Sequence, residues 1–381
     1  MFSDWTKLIV VKVGSSLLVD GNNISRDRLG QLAENIVRIR QRGKQMILVS
    51  SGAMACGMSV MGIREMRRDI PFKQAMAAIG QVILMERYSE VFASHSVPVA
   101  QVLLAPEDTH NRSKYLNVRN TFESLLTLGV LPIVNENDTV AVEEIKFGDN
   151  DRLSALVASL VDAHLLVILS DIEGLYTTDP KKDPHATFIR KVDYIDKMIE
   201  DMAGGQGSVF SAGGMKSKIT AARIATWSGI GTIIASGKDF SILSDILSGK
   251  ERGTYFSPLP KALRSRKRWI GFGMICQGTI IVDEGAEKAI SGNKSLLPAG
   301  ITGSVGSFEP GDCVEIRGKS GRLIARGLVN YSSDELKAIS GCHSDQLQKK
   351  WPDRVASPEV VHVDNLALFP EDEAKGERES R

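Results

Sequence analysis

Cysteine is scarce in this sequence, and the charged residues nearly cancel. Only four cysteines occur among 381 residues, and they lie far apart without a C-x-x-C pair. This spacing excludes a disulfide scaffold, argues against a cysteine zinc site and is typical of a reducing cytoplasm. The formal net charge is +1, so no global field would draw the chain to nucleic acid or to an anionic membrane.

Long apolar runs are also missing. No run reaches the ~18–20 apolar residues that are needed to span a bilayer. The opening residues, "MFSDWTKLIVVKVGSS", lack the basic region, the long apolar core and the cleavage site of a secretory signal. We therefore expect a cytoplasmic protein without a membrane segment.

Several common nucleotide and metal motifs are absent as well. The sequence has no G-x-x-x-x-G-K-[ST] loop, no G-x-G-x-x-G after its first predicted strand and no protein-kinase signature. Its histidines show no metal-ligand spacing, and "GDND" lacks the residue order of a calcium loop. The sequence therefore predicts neither a dinucleotide site nor a metal held by the protein itself.

The sequence does contain a regular alternation of strands and helices. The runs "KLIVVKV", "QMILVS" and "HLLVILS" predict buried strands, and helical periodicity separates them, for example from about Ser25 to Arg42. This order predicts an α/β fold with a mostly parallel sheet sandwiched by helices.

The pattern changes near Pro258, where proline and basic residues interrupt the alternation. We expect a first domain over residues 1–258, a basic linker over 259–269 and a small β-rich domain over 270–365. Residues 366–381 are charged and nearly free of apolar side chains, which predicts a disordered tail.

Polar clusters follow four of the predicted strands in the first domain. They are residues 12–15, 50–52, 135–138 and 170–171. Ligands of parallel α/β sheets bind beyond the carboxyl ends of the strands. Four clusters at such positions predict one shared site.

Two elements combine glycine with lysine. Lys12 ends an apolar strand, where its ammonium group either reaches the surface along its own stem or points at an anion beside the Gly-Ser-Ser turn. The loop "SAGGMKSK" (residues 211–218) is either an ordinary glycine-rich helix start or a second anion site, since helix N-terminal amides favour negative charge. Together the two elements indicate a phosphoryl ligand.

These motifs, in this order, resemble the amino acid kinase family, and within it the members that act on glutamate. The matching stretches are "VVKVGSS", "LVSSGAMACG", "PIVNENDTVAVEEIKFGDNDRLSALVA", "LSDIEGLYTTDP" and "GGMKSKITAA". The region "KRW...VDEGA...SLLPAGI" resembles the start of a PUA domain. Members of this family carry Thr where this chain has Ala212, so the resemblance implies that a hydroxyl contact to the nucleotide would be missing.

The resemblance implies a reaction and its partners. ATP would phosphorylate the γ-carboxylate of L-glutamate, the first step toward proline, with Mg²⁺ bridging the nucleotide phosphates. Proline would inhibit at the glutamate site, and the chain would form a homo-oligomer. PUA domains resemble RNA-binding modules, but the near-zero net charge disfavours strong electrostatic binding of RNA.

The resemblance and the chemistry of the reaction together assign roles to residues. Lys12 and Lys218 are expected to neutralise the transferring group, and Asp151 to hold both lysines. Asp138 is the candidate for the α-ammonium group of the substrate. The residues expected to bind its carboxylates are Ser51, Gly52, Ala53, Asn135 and Asn150. The residues expected to hold ATP are Lys12, Ser170, Asp171, Ala212, Gly213, Gly214, Met215, Lys216, Ser217 and Lys218.

Alternation over residues 140–147 changes phase at Glu143-Glu144, which predicts a hairpin lid over the substrate.

The sequence leaves open which acid is the substrate and whether the protein belongs to another functional class. The same family includes kinases for aspartate, N-acetylglutamate and carbamate, and an acid at position 138 favours a substrate with a free amine. Binding of RNA by the β-rich domain is the alternative from another functional class.

Overall fold

The computed structural model describes residues 6–20, 23–67, 69–140, 150–180, 182–204, 214–260, 263, 265–342 and 359–369. The chain divides into two compact units, Met1–Ala262 and Leu263–Arg381. Over the described ranges, no helix is both long enough and apolar enough to cross a membrane.

The first unit alternates strands and helices as predicted. Its strands are β1 Leu8–Val13, β2 Val19–Asp20, β3 Asn23–Ile24, β4 Gln45–Ser50, β5 Val99–Leu104, β6 Leu131–Glu136, β7 Leu165–Ser170, β8 Leu175–Tyr176, β9 Phe188–Ile189, β10 Lys191–Val192, β11 Gly231–Ser236 and β12 Thr254–Phe256. Its α-helices are α1 Arg26–Gln41, α2 Ala53–Val60, α3 Ile70–Ala93, α4 Pro106–His110, α5 Arg112–Thr127, α6 Asn150–Leu160, α7 Lys197–Ala203, α8 Met215–Trp227 and α9 Ile242–Leu247, and Ser15–Leu17 forms a 3₁₀ turn.

One large sheet organises this unit. Its strand order is β10-β12-β11-β7-β1-β4-β6-β5, and all neighbours are parallel except β11 and β12. β1, β4 and β7 are long apolar runs, which suits strands covered on both faces. The predicted α/β fold with a mostly parallel sheet is confirmed.

The two faces of β1 carry different chemistry. Ile9, Val11 and Val13 belong to a hydrophobic core that also holds buried residues of α1, α3 and α9. Alternate residues of a strand point to opposite faces, so Lys12 leaves the sheet on the other face. Helices α6 and α8 pack there, each against the other and against the sheet. This parity aims the Lys12 side chain at the first turn of α6.

Two glycines let α2 and α3 touch along their backbones. A Cβ atom added at Gly80 would lie 1.7 Å from the carbonyl oxygen of Ala53, and one added at Gly57 would lie 1.9 Å from that of Met76. Only glycine permits such an approach. The contact fixes the start of α2, and with it the turn after β4, against the middle of α3.

Gly80→Ala is expected to destabilise the protein by about 1–3 kcal/mol or more, because the new methyl group has no room between two helix backbones. Chemical unfolding measures the change. Gly30→Ala on α1 is the matched control, since a Cβ atom there meets nothing within 4 Å. That variant is expected to gain about 0.5–1 kcal/mol from helix propensity. Equal stability of the two variants would contradict the helix contact.

The second unit is a small sheet with short helices. Its strands are β13 Cys276–Val282, β14 Ile301–Gly306, β15 Cys313–Gly318, β16 Leu323–Leu328 and β17 Leu366–Leu368, in the order β14-β13-β15-β16-β17. Its helices are α10 Ser265–Arg268, α11 Glu284–Ser291 and α12 Ser333–Ile339, with a π-helical turn at Trp269–Gly273 and 3₁₀ turns at Pro298–Gly300 and Val363–Asn365. The predicted strand-rich C-terminal domain is confirmed.

Both expected boundaries of this unit need correction. Residues 265–269 were expected in a solvated linker, but they are helical, and Arg268 and Trp269 are buried. Residues 366–369 were expected in the tail, yet β17 pairs with β16 and Phe369 is buried. The π-helical turn and β17 contact each other and β16, so both segments belong to the ordered unit.

Candidate active site

A buried carboxylate contacts the other two predicted catalytic side chains. Asp151 lies in the first turn of α6 and is fully buried. Its Oδ1 lies 2.5 Å from Nζ of Lys12, and its Oδ2 lies 3.0 Å from Nζ of Lys218. The lysines are 4% and 2% exposed, so neither ammonium group reaches the surface along its stem. The cluster carries two positive charges and one negative charge.

Asp151 is held in its ionised form. Burial by itself would raise the pKa of this carboxyl group, but the ammonium groups of Lys12 and Lys218 outweigh burial and hold the pKa below its ordinary range. Both carboxylate oxygens are engaged by cations. The geometry therefore suits a group that positions the lysines, and it does not suit a base that collects a proton.

Ser217 adds a further donor to the same carboxylate. Its Oγ donates to Oδ2 of Asp151 at 2.8 Å. Ser217 and Lys218 both lie in the first turn of α8, whose N-cap is Gly214. The start of α8 therefore supplies a neutral donor and a cation to Asp151. The backbone amides of this turn lie on the same side of the sheet as Lys12.

A second cluster, made of amide side chains, lies at the ends of β4 and β6. Nδ2 of Asn150 lies 2.8 Å from the carbonyl oxygen of Ser50, 2.8 Å from Oγ of Ser51 and 2.9 Å from Oδ1 of Asn135. Asn150 is the neighbour of Asp151 in α6. The first turn of this helix thus links the amide cluster directly to the lysine cluster.

The other expected substrate residues border this cluster. Gly52 caps α2 with φ 113°, a left-handed conformation that favours glycine, and Ala53 begins the helix. Asp138 is half-buried in the turn after β6. The structure brings Ser51, Asn135 and Asn150 into direct hydrogen-bonded contact and places Gly52, Ala53 and Asp138 on the adjoining turns.

The expected nucleotide residues lie at the ends of β7 and α8. Ser170 is buried and donates to Oδ1 of its neighbour Asp171, which is exposed. Met215 and Lys216 open α8, and the Lys216 side chain is exposed. Ala212, Gly213 and the predicted hairpin at 140–147, except Val140, lie outside the described residues.

Comparison with known proteins decides the family. The amino acid kinase family matches residues 7–236, and the PUA domain family matches residues 278–350. Glutamate 5-kinase of Trichlorobacter lovleyi is 48% identical over 95% of this chain and 96% of its own length. Glutamate 5-kinase of Nostoc sp. is 46% identical over 96% of this chain and 98% of its own length.

The chain belongs to the glutamate 5-kinase family. Among solved structures, carbamate kinase from Giardia lamblia bound to AMP-PNP is 17% identical with a TM-score of 0.49, over 67% of this chain and 99% of that one. The predicted membership of the amino acid kinase family and the PUA-type C-terminal domain are confirmed.

In this member of the glutamate 5-kinase family, sequence reasoning missed several residues that shape the site. Oε1 of Gln81, on α3, accepts a hydrogen bond from Nδ2 of Asn135 at 2.9 Å. The hydroxyl oxygen of Tyr88, on the same helix, lies 2.7 Å from Oγ of Ser50. Arg28 of α1 donates to the carbonyl oxygens of Leu17, Gly237 and Lys238, which joins the turns after β1 and β11. A lone polar residue in the apolar stretch "AAIGQVIL" was the one available signal for Gln81.

The pH dependence of the free energy of unfolding is expected to reflect the lowered pKa of Asp151. A carboxyl group of this kind stabilises the fold above its unfolded pKa, about 3.9 for Asp, and the contribution disappears as the pH falls through the lower folded value. The stability gap between wild type and Asp151→Asn is therefore expected to stay constant from about pH 5 to 8 and to shrink below about pH 4. Urea unfolding of both proteins over this range measures it. A gap that already shrinks between pH 5 and 7 would mean a raised pKa.

Proposed function

We propose that this protein transfers the γ-phosphoryl group of ATP to the γ-carboxylate of L-glutamate. Full-length similarity to glutamate 5-kinases supports the reaction, and the buried Lys12–Asp151–Lys218 cluster supports the chemistry. This cluster is the single observation that carries the proposal. It supplies the net positive charge that the approach of an anionic carboxylate to an anionic phosphate requires.

The residues suit transfer without a general base. A glutamate carboxyl group has an ordinary pKa of about 4.3, so it is already ionised at neutral pH. Its oxygen forms a bond to the γ-phosphorus while the bond to the β-γ bridging oxygen breaks, and ADP leaves with that electron pair. Catalysis then consists mainly of positioning and charge neutralisation. Lys12 and Lys218 supply the neutralising donors, and Asp151 keeps both in place.

The substrates would occupy the two linked clusters. The hydroxyl group of Ser51 and the amides of Gly52 and Ala53, at the start of α2, suit a substrate carboxylate. Asp138, on the turn after β6, suits the α-ammonium group. The nucleotide would lie along Ser170, Asp171 and the first turn of α8, where the helix N-terminal amides favour phosphate.

Magnesium would be bound mainly by the nucleotide. Among the described residues, no group of three or more His, Cys, Asp or Glu side chains is placed to hold a metal ion. We assign the cation to the phosphates of ATP.

The assay that tests the proposal traps the acyl phosphate as a hydroxamate. With ATP and hydroxylamine present, L-glutamate is expected to give hydroxamate, while N-acetylglutamate and aspartate at equal concentration give little. N-acetylglutamate lacks the charged amine that Asp138 would bind. Aspartate is one methylene shorter, so it could not place its amine at Asp138 and its side-chain carboxylate at the lysine cluster at the same time. Stronger product formation from N-acetylglutamate would overturn the substrate assignment.

Proline inhibition follows from the same proposal. Proline shares the α-carboxylate and the α-ammonium group of glutamate, so it should compete at those subsites. Raising the glutamate concentration is expected to relieve inhibition in the hydroxamate assay. Inhibition that glutamate does not relieve would place proline at a different site.

A further inference from the structure

Gln81 lies beside the amide cluster without belonging to any motif of the family resemblance. It is a half-buried residue of α3, next to Gly80, where the helix touches the backbone of α2. Its Oε1 accepts a hydrogen bond from Nδ2 of Asn135 at 2.9 Å. The close packing of α3 against Ala53 keeps this side chain at a defined distance from the ends of β4 and β6.

The orientation of the Asn135 amide is determined by the main chain. The backbone N–H of Glu136 donates to Oδ1 of Asn135 at 2.9 Å. A backbone N–H is a donor only, so the atom that faces it must be the oxygen. Nδ2 of Asn135 therefore points at Gln81, and Oδ1 of Asn135 is also available to Asn150.

The orientation of the Asn150 amide follows in the same way. The carbonyl oxygen of Ser50 and Oδ1 of Asn135 are acceptors only, and both lie within 2.9 Å of one atom of Asn150. That atom must be the nitrogen. Oδ1 of Asn150 is then buried, and no donor among the described residues reaches it. A buried acceptor without a donor is costly, so it marks the place of a ligand donor.

We propose that Gln81 is a positioning residue that, through Asn135, holds the Asn150 amide with its oxygen turned toward an N–H donor of the acceptor substrate, such as an ammonium group. This inference rests on the proposed function and refines it. Asn150 was expected to bind a carboxylate, but its N–H groups are committed to protein acceptors. The atom that it offers to a ligand is an acceptor.

Loss of the Gln81 acceptor would loosen this arrangement. Asn135 would keep the N–H of Glu136 as a partner but lose its contact with α3. Oδ1 of Asn135 would then hold Nδ2 of Asn150 less firmly, and the Asn150 oxygen would face the substrate ammonium group in a less defined position. Binding of the amino acid would therefore weaken while the lysine cluster stayed intact.

The test compares Gln81→Leu with Gln81→Glu. Leu removes the acceptor at similar volume, and Glu keeps an oxygen that accepts from Nδ2 of Asn135. Gln81→Leu is expected to raise KM for glutamate about 10-fold, with kcat and KM for ATP within about 2-fold of wild type. Gln81→Glu is expected to stay within about 3-fold of wild type for all three constants.

Inhibition by glutarate separates the contribution of the ammonium group to binding from that of the two carboxylates. Glutarate has both carboxylates of glutamate and no amine, so its inhibition constant should change less than 2-fold or so in Gln81→Leu. An equal loss for glutarate and glutamate would overturn the acceptor role of Asn150. An equal loss in Gln81→Leu and Gln81→Glu, or an unchanged KM for glutamate in Gln81→Leu, would overturn the role of Gln81.

Failure of the proposed function would look different. In that case wild type itself would form no hydroxamate from glutamate. The comparison of Gln81→Leu with wild type would then use the amino acid that wild type does phosphorylate. A general packing defect would lower the melting temperature and kcat together, without a selective rise in the KM of the amino acid.

Discussion

Asp151→Asn is expected to lower kcat by about 10³-fold or more and to destabilise the fold by about 3–5 kcal/mol. The substitution keeps the shape of the side chain and removes its charge. Lys12 and Lys218 would then face each other in a buried site without their shared counter-ion. Breaking a buried pair in this way is strongly destabilising. The two ammonium groups would move apart, and the transferring phosphoryl group would lose both donors.

A half-buried aspartate near the surface, with the same kind of partners, is the control. Asp245 contacts Lys250 and Arg252, each at 2.7 Å, on the protein surface. Asp245→Asn is expected to leave kcat unchanged, because solvent screens such surface pairs. Steady-state kinetics and urea unfolding of both variants decide the matter. Asp151→Asn with near-normal kcat would remove this residue from the mechanism, and equal stability of the two variants would contradict its burial between two cations.

Lys12→Met is expected to lower kcat by about 10²–10³-fold, the loss typical of one preorganised donor to a transition-state charge. The side chains are similar in volume, and Asp151 keeps Lys218 as its counter-charge, so the fold should be retained within about 1–2 kcal/mol. KM for glutamate should change much less than kcat. An interaction made chiefly in the transition state affects turnover more than ground-state binding.

Lys7, just before the same strand, provides a matched control. It lies at the amino end of β1 and is exposed, whereas Lys12 is buried near the carboxyl end. Lys7→Met removes the same charge from the same region of the chain and is expected to leave kcat within about 2-fold of wild type, as is usual for surface sites. Similar losses in the two variants would indicate a general charge effect. Near-normal turnover of Lys12→Met would exclude Lys12 from catalysis.

Much of the fold was predictable from local patterns. Helix α1 begins after Ser25, whose side chain accepts from the N–H of Arg28, and ends before Gly43 with φ 77°, as its sequence signals indicate. The apolar runs became β1, β4 and β7 because residues buried on both faces need no alternation. The sequence pattern did not reveal that residues 265–268 are helical or that β17 pairs with β16, because both segments are short and lie beside charged runs.

The sequence predicted most residues of the candidate site, but it predicted only some of the contacts between them. Lys12, Asn135 and Ser170 were identifiable because polar residues at strand ends of a parallel sheet share one edge. Gln81 and Tyr88 were not, because each lies inside a long apolar helix whose facing partners depend on how that helix packs. The Gly80 contact that sets this packing joins two helices by backbone atoms alone, which no side-chain pattern reveals.

The sequence by itself determined the alternation of strands and helices, the polar residues at the strand ends and the two glycine-lysine elements. Tertiary structure alone decided that Lys12 and Lys218 contact different carboxylate oxygens of Asp151, and that the Asn150 amide turns its oxygen to the ligand side. The reason is physical. These contacts join residues far apart in the chain, and their distances and hydrogen-bond directions depend on how α3, α6 and α8 pack against the sheet.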